Sequence, residues 1–166
     1  MYYKPKYFIP EEIFPESVVR LHTFLSKGKV IVSEKIWRLV DSRVLITLDR
    51  LRDRFGTIVV NDYRWGGKNQ YRGYRPALDL IDKYYLEETG IYRPKWSSFT
   101  SQHCFGRAID CKFKYKTSQE VRDDIKKNFS ELTYQDITAI EESVDWFHFD
   151  VRSWDRKTNG ILFFRP

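Results

Sequence analysis

The 166 residues fit one domain and leave little room for a second; a chain of this size buries roughly two-thirds of its unfolded surface and needs no disulfide scaffold. Hydrophobic residues at 42% and charged residues at 31% describe an ordinary globular chain, and no apolar run is long enough to span a bilayer. The formal net charge of +6 favours anionic partners, but the basic residues are scattered among acids, and neither an RNA-recognition signature nor a zinc-finger spacing occurs, so nucleic acid is not an expected partner.

Residues 1–15 carry Pro5, Pro10 and Pro15 among aromatics and read as an extended arm lying on the domain. Glu16 to Leu25 is a short helix candidate, stopped by Ser26-Lys27-Gly28. The clearest helix runs from about Leu39 to Phe55: Val40, Val44, Leu48, Leu51 and Phe55 recur at helical steps, and Gly56 follows as the stop. The β-branched run Thr57–Val60 reads as a buried strand. From Asn61 to about Phe99 the pattern is irregular, with a short helix expected near Ala77 to Glu88; its aromatic and basic residues suggest an active-site wall or simple packing. A strand is expected over Arg107–Lys114, then a helix over Ser118–Phe129 with a capping box between Thr117 and Glu120. Strands follow at Ile137–Glu141, Trp146–Arg152 and Ile161–Phe164. The fold class expected is α+β, an antiparallel sheet with flanking helices, in one domain over 1–166.

Three histidines are present, so each can be weighed. His22 has no acidic or thiol partner at ligand spacing and reads as structural or surface. His103 lies at a loop end and Asp110 on the strand after it, with Gly106 between them to turn the chain tightly. His148 lies on a strand whose alternation puts Trp146, His148 and Asp150 on one face and Phe147 and Phe149 on the other. Asp145 stands at the strand entrance, placed to act as a base. Two imidazoles and one carboxylate are the donor set of catalytic rather than structural zinc. Spacing alone leaves open two histidines satisfied by ordinary hydrogen bonds near a surface aspartate. Asp150 is either an orienting partner for a ligand or a salt bridge to Arg152, and Cys104 and Cys111 read as small buried groups rather than ligands.

The segments SQHCFGRAID and DWFHFDVR together resemble the signature of the zinc D-alanyl-D-alanine carboxypeptidase and L-alanyl-D-glutamate endopeptidase superfamily, whose fold is shared with the Hedgehog signalling domain. The matching residues are Ser101, His103, Gly106, Ala108 and Asp110, then Asp145 and His148, and the resemblance extends more loosely over residues 35–166. It implies a Hedgehog/D,D-peptidase-like fold, Zn2+ held by His103, Asp110 and His148, and Asp145 as the general base. Asp at the base position, where many carboxypeptidases of the family carry Glu, resembles the phage lysin branch and tilts the expectation toward an endopeptidase. The family's site arginine lies in a Ser-Gly-Tyr-Arg segment, which Arg72-Gly73-Tyr74-Arg75 resembles; this nominates Arg75, with Arg64 as the competitor.

The activity so implied is hydrolysis of a peptidoglycan stem-peptide amide bond. The N-terminus shows no apolar signal segment. The expectation is therefore a protein made in a bacterial host cytoplasm that acts at the cell wall, as a bacteriophage endolysin or a virion-associated enzyme. The alternative is a non-catalytic structural or binding virion protein on the same fold.

Overall fold

The computed structural model describes residues 2–76 and 101–165. The helix expected near Ala77 to Glu88 lies outside the described residues. Over the described part, two short helices, α1 (Pro10–Ile13) and α2 (Glu16–Leu21), precede a hairpin of β1 (Thr23–Ser26) and β2 (Lys29–Val32). A 3-10 turn (Glu34–Leu39) leads into α3 (Ser42–Phe55), β3 (Ile58–Val59) and a second 3-10 turn (Tyr63–Trp65). After the undescribed stretch come β4 (Ala108–Phe113), α4 (Ser118–Asn128), β5 (Ala139–Glu141), β6 (Phe147–Asp150), α5 (Arg156–Asn159) and β7 (Leu162–Phe164).

The expected helix over Glu16–Leu25 ends early. It stops at Leu21, and Thr23–Ser26 instead pairs with Lys29–Val32. Lys27 and Gly28, at φ 50° and 74°, make the tight turn. Two successive positive φ values match the right-handed twist of a two-residue hairpin, so the turn residues that stop a helix here close a hairpin. The arm over residues 1–15 contains α1, and it lies on α3 through the buried Asp49 carboxylate. That group accepts the Tyr3 hydroxyl at 2.7 Å and the backbone N–H of Lys6 at 2.7 Å.

Five strands form the main sheet in the order β3-β4-β6-β5-β7. Every pairing is antiparallel except β5 with β7, which is parallel, because β7 runs back against β6 but takes its place beyond β5. The α+β composition and the antiparallel sheet stand as expected, with β5–β7 as the one parallel pair among the described strands.

The core lies on one face of the sheet. Ile109, Cys111 and Phe113 of β4, Phe147 and Phe149 of β6 and Ile140 of β5 point into it. Against them pack Val44, Leu45, Leu48 and Leu51 of α3 and Val121 and Ile125 of α4, all fully buried. Burying each such aliphatic side chain stabilises the fold by roughly 1.5–3 kcal/mol, which is what holds two otherwise polar helices to the sheet. Asp41 caps α3 by accepting the Arg43 N–H, and Gly56 ends it at φ 82°. The Thr117–Glu120 capping box starts α4. The opposite face of the sheet, carrying Asp110, Glu141, His148 and Phe164, is left to build a cavity.

Candidate metal centre

The register of β4 on β6 sets Asp110 directly opposite His148 and Ala108 opposite Asp150. Alternation then gives one strand face to His148 and Asp150 while Phe147 and Phe149 enter the core. His103 arrives from the turn before β4. In that turn Gly106 holds φ 64°, and a Cβ there would lie 2.1 Å from the Leu39 carbonyl oxygen. No other residue lets the chain pass Leu39 and still return His103 to Asp110.

The three side chains are buried, and one donor atom from each falls within 4.8 Å of the other two. Asp110 accepts from His148 Nδ1 at 2.7 Å and lies 3.3 Å from His103 Nε2. The far nitrogen of each ring is also engaged. His103 Nδ1 meets the Gly73 carbonyl oxygen at 2.8 Å, and His148 Nε2 faces Asp150 Oδ2 at 3.4 Å. A carbonyl and a carboxylate accept only, so each ring donates there from its far nitrogen, and with a metal bound the near nitrogen would give up its proton and turn its lone pair to the ion. Ligand histidines are oriented in this way. The group fits a metal ion: three buried oxygen and nitrogen donors converge, and two have their tautomers set from behind.

The electrostatics follow the same contacts. Burial alone would raise the Asp110 carboxyl, but hydrogen bonds from His103 and His148 outweigh it and hold the group well below the usual carboxylate range. Burial would lower His148, yet its bonds to Asp110 and Asp150 keep it up at about 9. Burial dominates at His103 and pushes it down despite Asp110. One anionic carboxylate thus sits among three groups able to donate to it, a balance that a bound cation can replace.

The third of those groups is Arg75, whose Nη2 lies 2.7 Å from Asp110 Oδ2. Its segment runs beside β4: Asp110 N–H donates to the Arg72 carbonyl at 2.7 Å and Arg75 N–H to the His103 carbonyl at 3.2 Å. Gly73 is needed there, since a Cβ would meet the Ile13 carbonyl oxygen at 2.1 Å. Arg64 instead pairs with Glu11, away from this cavity. Within Asn61–Arg75 only Arg75 lines the cavity, and Trp65 is exposed on the surface. His22 packs at the end of α2 with Nδ1 3.0 Å from the Val18 carbonyl oxygen. Cys111 is buried on the core face and Cys104 half-buried in the turn; neither belongs to the metal-capable group.

Asp145 is placed differently from its expected position beside a metal. Its exposed carboxylate lies 2.9 Å from Lys112 Nζ, and it is not among the residues lining the cavity. The hydrogen bond from Lys112 holds this carboxyl below its ordinary value. The carboxylate that lines the cavity beside Asp110 is Glu141, which accepts from Trp146 Nε1 at 3.2 Å. The cavity measures about 370 Å³ and is also bounded by Gln102, Arg152 and Phe164.

Glu141 and Arg122 escaped the sequence reading. Arg122 lies almost wholly buried under the 141–146 loop, donating to the carbonyls of Glu141 at 2.9 Å and Val144 at 3.0 Å, and also to Trp146. An arginine beside Val121 on the apolar side of α4 was the available signal. Asp150, fully buried, makes the expected salt bridge to Arg152 at 2.9 Å and also faces His148 Nε2 at 3.4 Å. Comparison with protein-family models, with curated proteins and with solved structures returned no match.

Proposed function

We propose that this chain is a zinc-dependent peptidoglycan peptidase of the Hedgehog/D,D-peptidase fold that hydrolyses a stem-peptide amide bond. The observation that carries the proposal is the buried His103–Asp110–His148 group on the wall of an open cavity, with Arg75 at its edge. His103 through Nε2, Asp110 through a carboxylate oxygen and His148 through Nδ1 would hold the ion. Two nitrogens and one oxygen suit zinc and leave a position for water or substrate. Zinc, when bound, supplies Lewis-acid polarisation of the scissile carbonyl and acidifies water.

The chain's own groups do the remaining work. A carboxylate accepts a proton from the attacking water as the new C–O bond forms. The C–N bond then breaks and the same proton passes to the departing amine, leaving a carboxylate and an amine as products. Arg75 donates to a substrate carboxylate or to the developing oxyanion. Asp145 is the base that the resemblance implies, and it serves once its side chain leaves Lys112 for the cavity. An L-alanyl-D-glutamate endopeptidase of a phage lysin is the form of the activity we favour over a D,D-carboxypeptidase. It would act at the cell wall, free or virion-associated.

The ion pair of Asp145 with Lys112 favours a second reading, a wall-binding or structural protein that keeps the metal and cleaves nothing. Metal content and hydrolysis of purified peptidoglycan, measured together, separate the two. The peptidase predicts about one zinc per chain, lost in His148→Ala, with Asp145→Ala retaining zinc and losing hydrolysis. Glu141→Gln keeping activity would assign the base to Asp145; the reverse pattern would assign it to Glu141. A wild type that takes up no zinc when supplied, or full activity in both carboxylate variants, would refute the peptidase.

A further inference from the structure

A second feature stands apart from the cavity and from the reading just given. The β1–β2 hairpin is a two-stranded sheet of its own, separate from the main sheet. Its register pairs Phe24 with Ile31 and Leu25 with Val30. Adjacent pairs on a hairpin point to opposite faces, so both faces carry large apolar side chains. These are exposed: Leu25 by 76%, Val30 by 72% and Phe24 by 50%, with Leu21 at the hairpin base exposed by 83%. None of the four belongs to the core cluster, so folding of the domain does not account for their apolarity. An isolated two-stranded hairpin is marginal in water, and its exposed faces would gain from cover.

Charge indicates what covers it. From Ser17 to Ser33 the chain has no Asp or Glu, and it carries Arg20, Lys27 and Lys29. Lys27 and Lys29 flank the exposed tip, and neither has an ion pair among the described residues. Joining two copies tip to tip would oppose these lysines, whereas an anionic surface neutralises them while apolar side chains enter beneath its headgroups. We infer that the β1–β2 hairpin docks on an anionic lipid surface, with Leu25 and Val30 inserted and Lys27 and Lys29 on the headgroup phosphates. Interfacial seating of this kind is distinct from spanning a bilayer.

The test is co-sedimentation of the full chain with vesicles of phosphatidylcholine alone and of phosphatidylcholine mixed with phosphatidylglycerol, at low and high salt. Two double variants are compared: Leu25→Ser with Val30→Ser, and Lys27→Glu with Lys29→Glu. The wild type should pellet with the anionic vesicles and lose this at high salt, and each double variant should bind about ten-fold more weakly or worse. If the apolar variant also melts at lower temperature, the lysine variant, which changes only exposed charges, decides. Equal binding to both vesicle types, or wild-type binding by the lysine variant, would overturn the inference. So would a dimer in sedimentation equilibrium that the apolar variant dissociates, without vesicle binding, since the face would then be occupied by a second copy.

Discussion

Replacing Asp110 by Asn tests the proposed metal centre at its hub. The side chain keeps its size but loses the charge that now faces His148 Nδ1 at 2.7 Å, Arg75 Nη2 at 2.7 Å and His103 Nε2 at 3.3 Å. Breaking a buried ion pair costs about 3–5 kcal/mol. The Arg75 side chain is 29% exposed and so partly recovers its solvation, which lowers the expected loss to about 2 kcal/mol. For a chain of this length that corresponds to a fall of roughly 4–8 °C in Tm, measured with chelator present. Zinc should separate the two proteins. At a free concentration about 100 times its Kd, zinc stabilises the wild type by about 2.7 kcal/mol, or roughly 5–11 °C. Asp110→Asn should gain almost nothing, because the anionic ligand is gone. Thermal melts with and without zinc, paired with chelator-competition titration, give both quantities. If Asp110→Asn gained as much from zinc as the wild type, these three residues would not be where the metal binds.

Four further outcomes follow from particular local geometries. Asp150→Asn removes the carboxylate behind His148 Nε2 and should weaken zinc binding by about 10–100-fold without abolishing it, as read by the same titration. Gly106→Ala places a Cβ 2.1 Å from the Leu39 carbonyl oxygen at φ 64° and should cost about 2 kcal/mol or more in urea unfolding. Gly28→Ala, at a comparable φ but in open space, should cost only about 1 kcal/mol. Glu120 is held down at about 2 by the Thr117 backbone N–H, with Lys116 and the Thr117 hydroxyl adding to it. An unfolded Glu titrates near about 4.3, so this contribution is complete above that pH and is lost as pH falls through about 2. Glu120→Gln should therefore flatten the acid limb of Tm against pH between those values; an unchanged limb would remove Glu120 as its source.

Local chemistry alone determined much of this protein. The apolar steps from Val44 to Leu51, the Gly56 stop and the Thr117–Glu120 box specify α3 and α4, because each involves residues within a few turns of one another. Alternation around His148 likewise separated the inward phenylalanines from the outward histidine before any partner strand was known. Thr23 to Ser26 was not legible, since so short a run serves a helix or a strand and only pairing with Lys29–Val32 decides. The site divides in the same way. Motif spacing nominated His103, Asp110 and His148, and the register that sets Asp110 against His148 brings them to one point. Tertiary structure alone decided which carboxylate meets the cavity. Glu141 ends β5 on the face opposite the core residue Ile140, whereas Asp145 lies in the loop beyond it, which Arg122 grips, and there Lys112 takes its carboxylate outward. Side-chain direction in a loop is set by such long-range partners, and no periodicity encodes them.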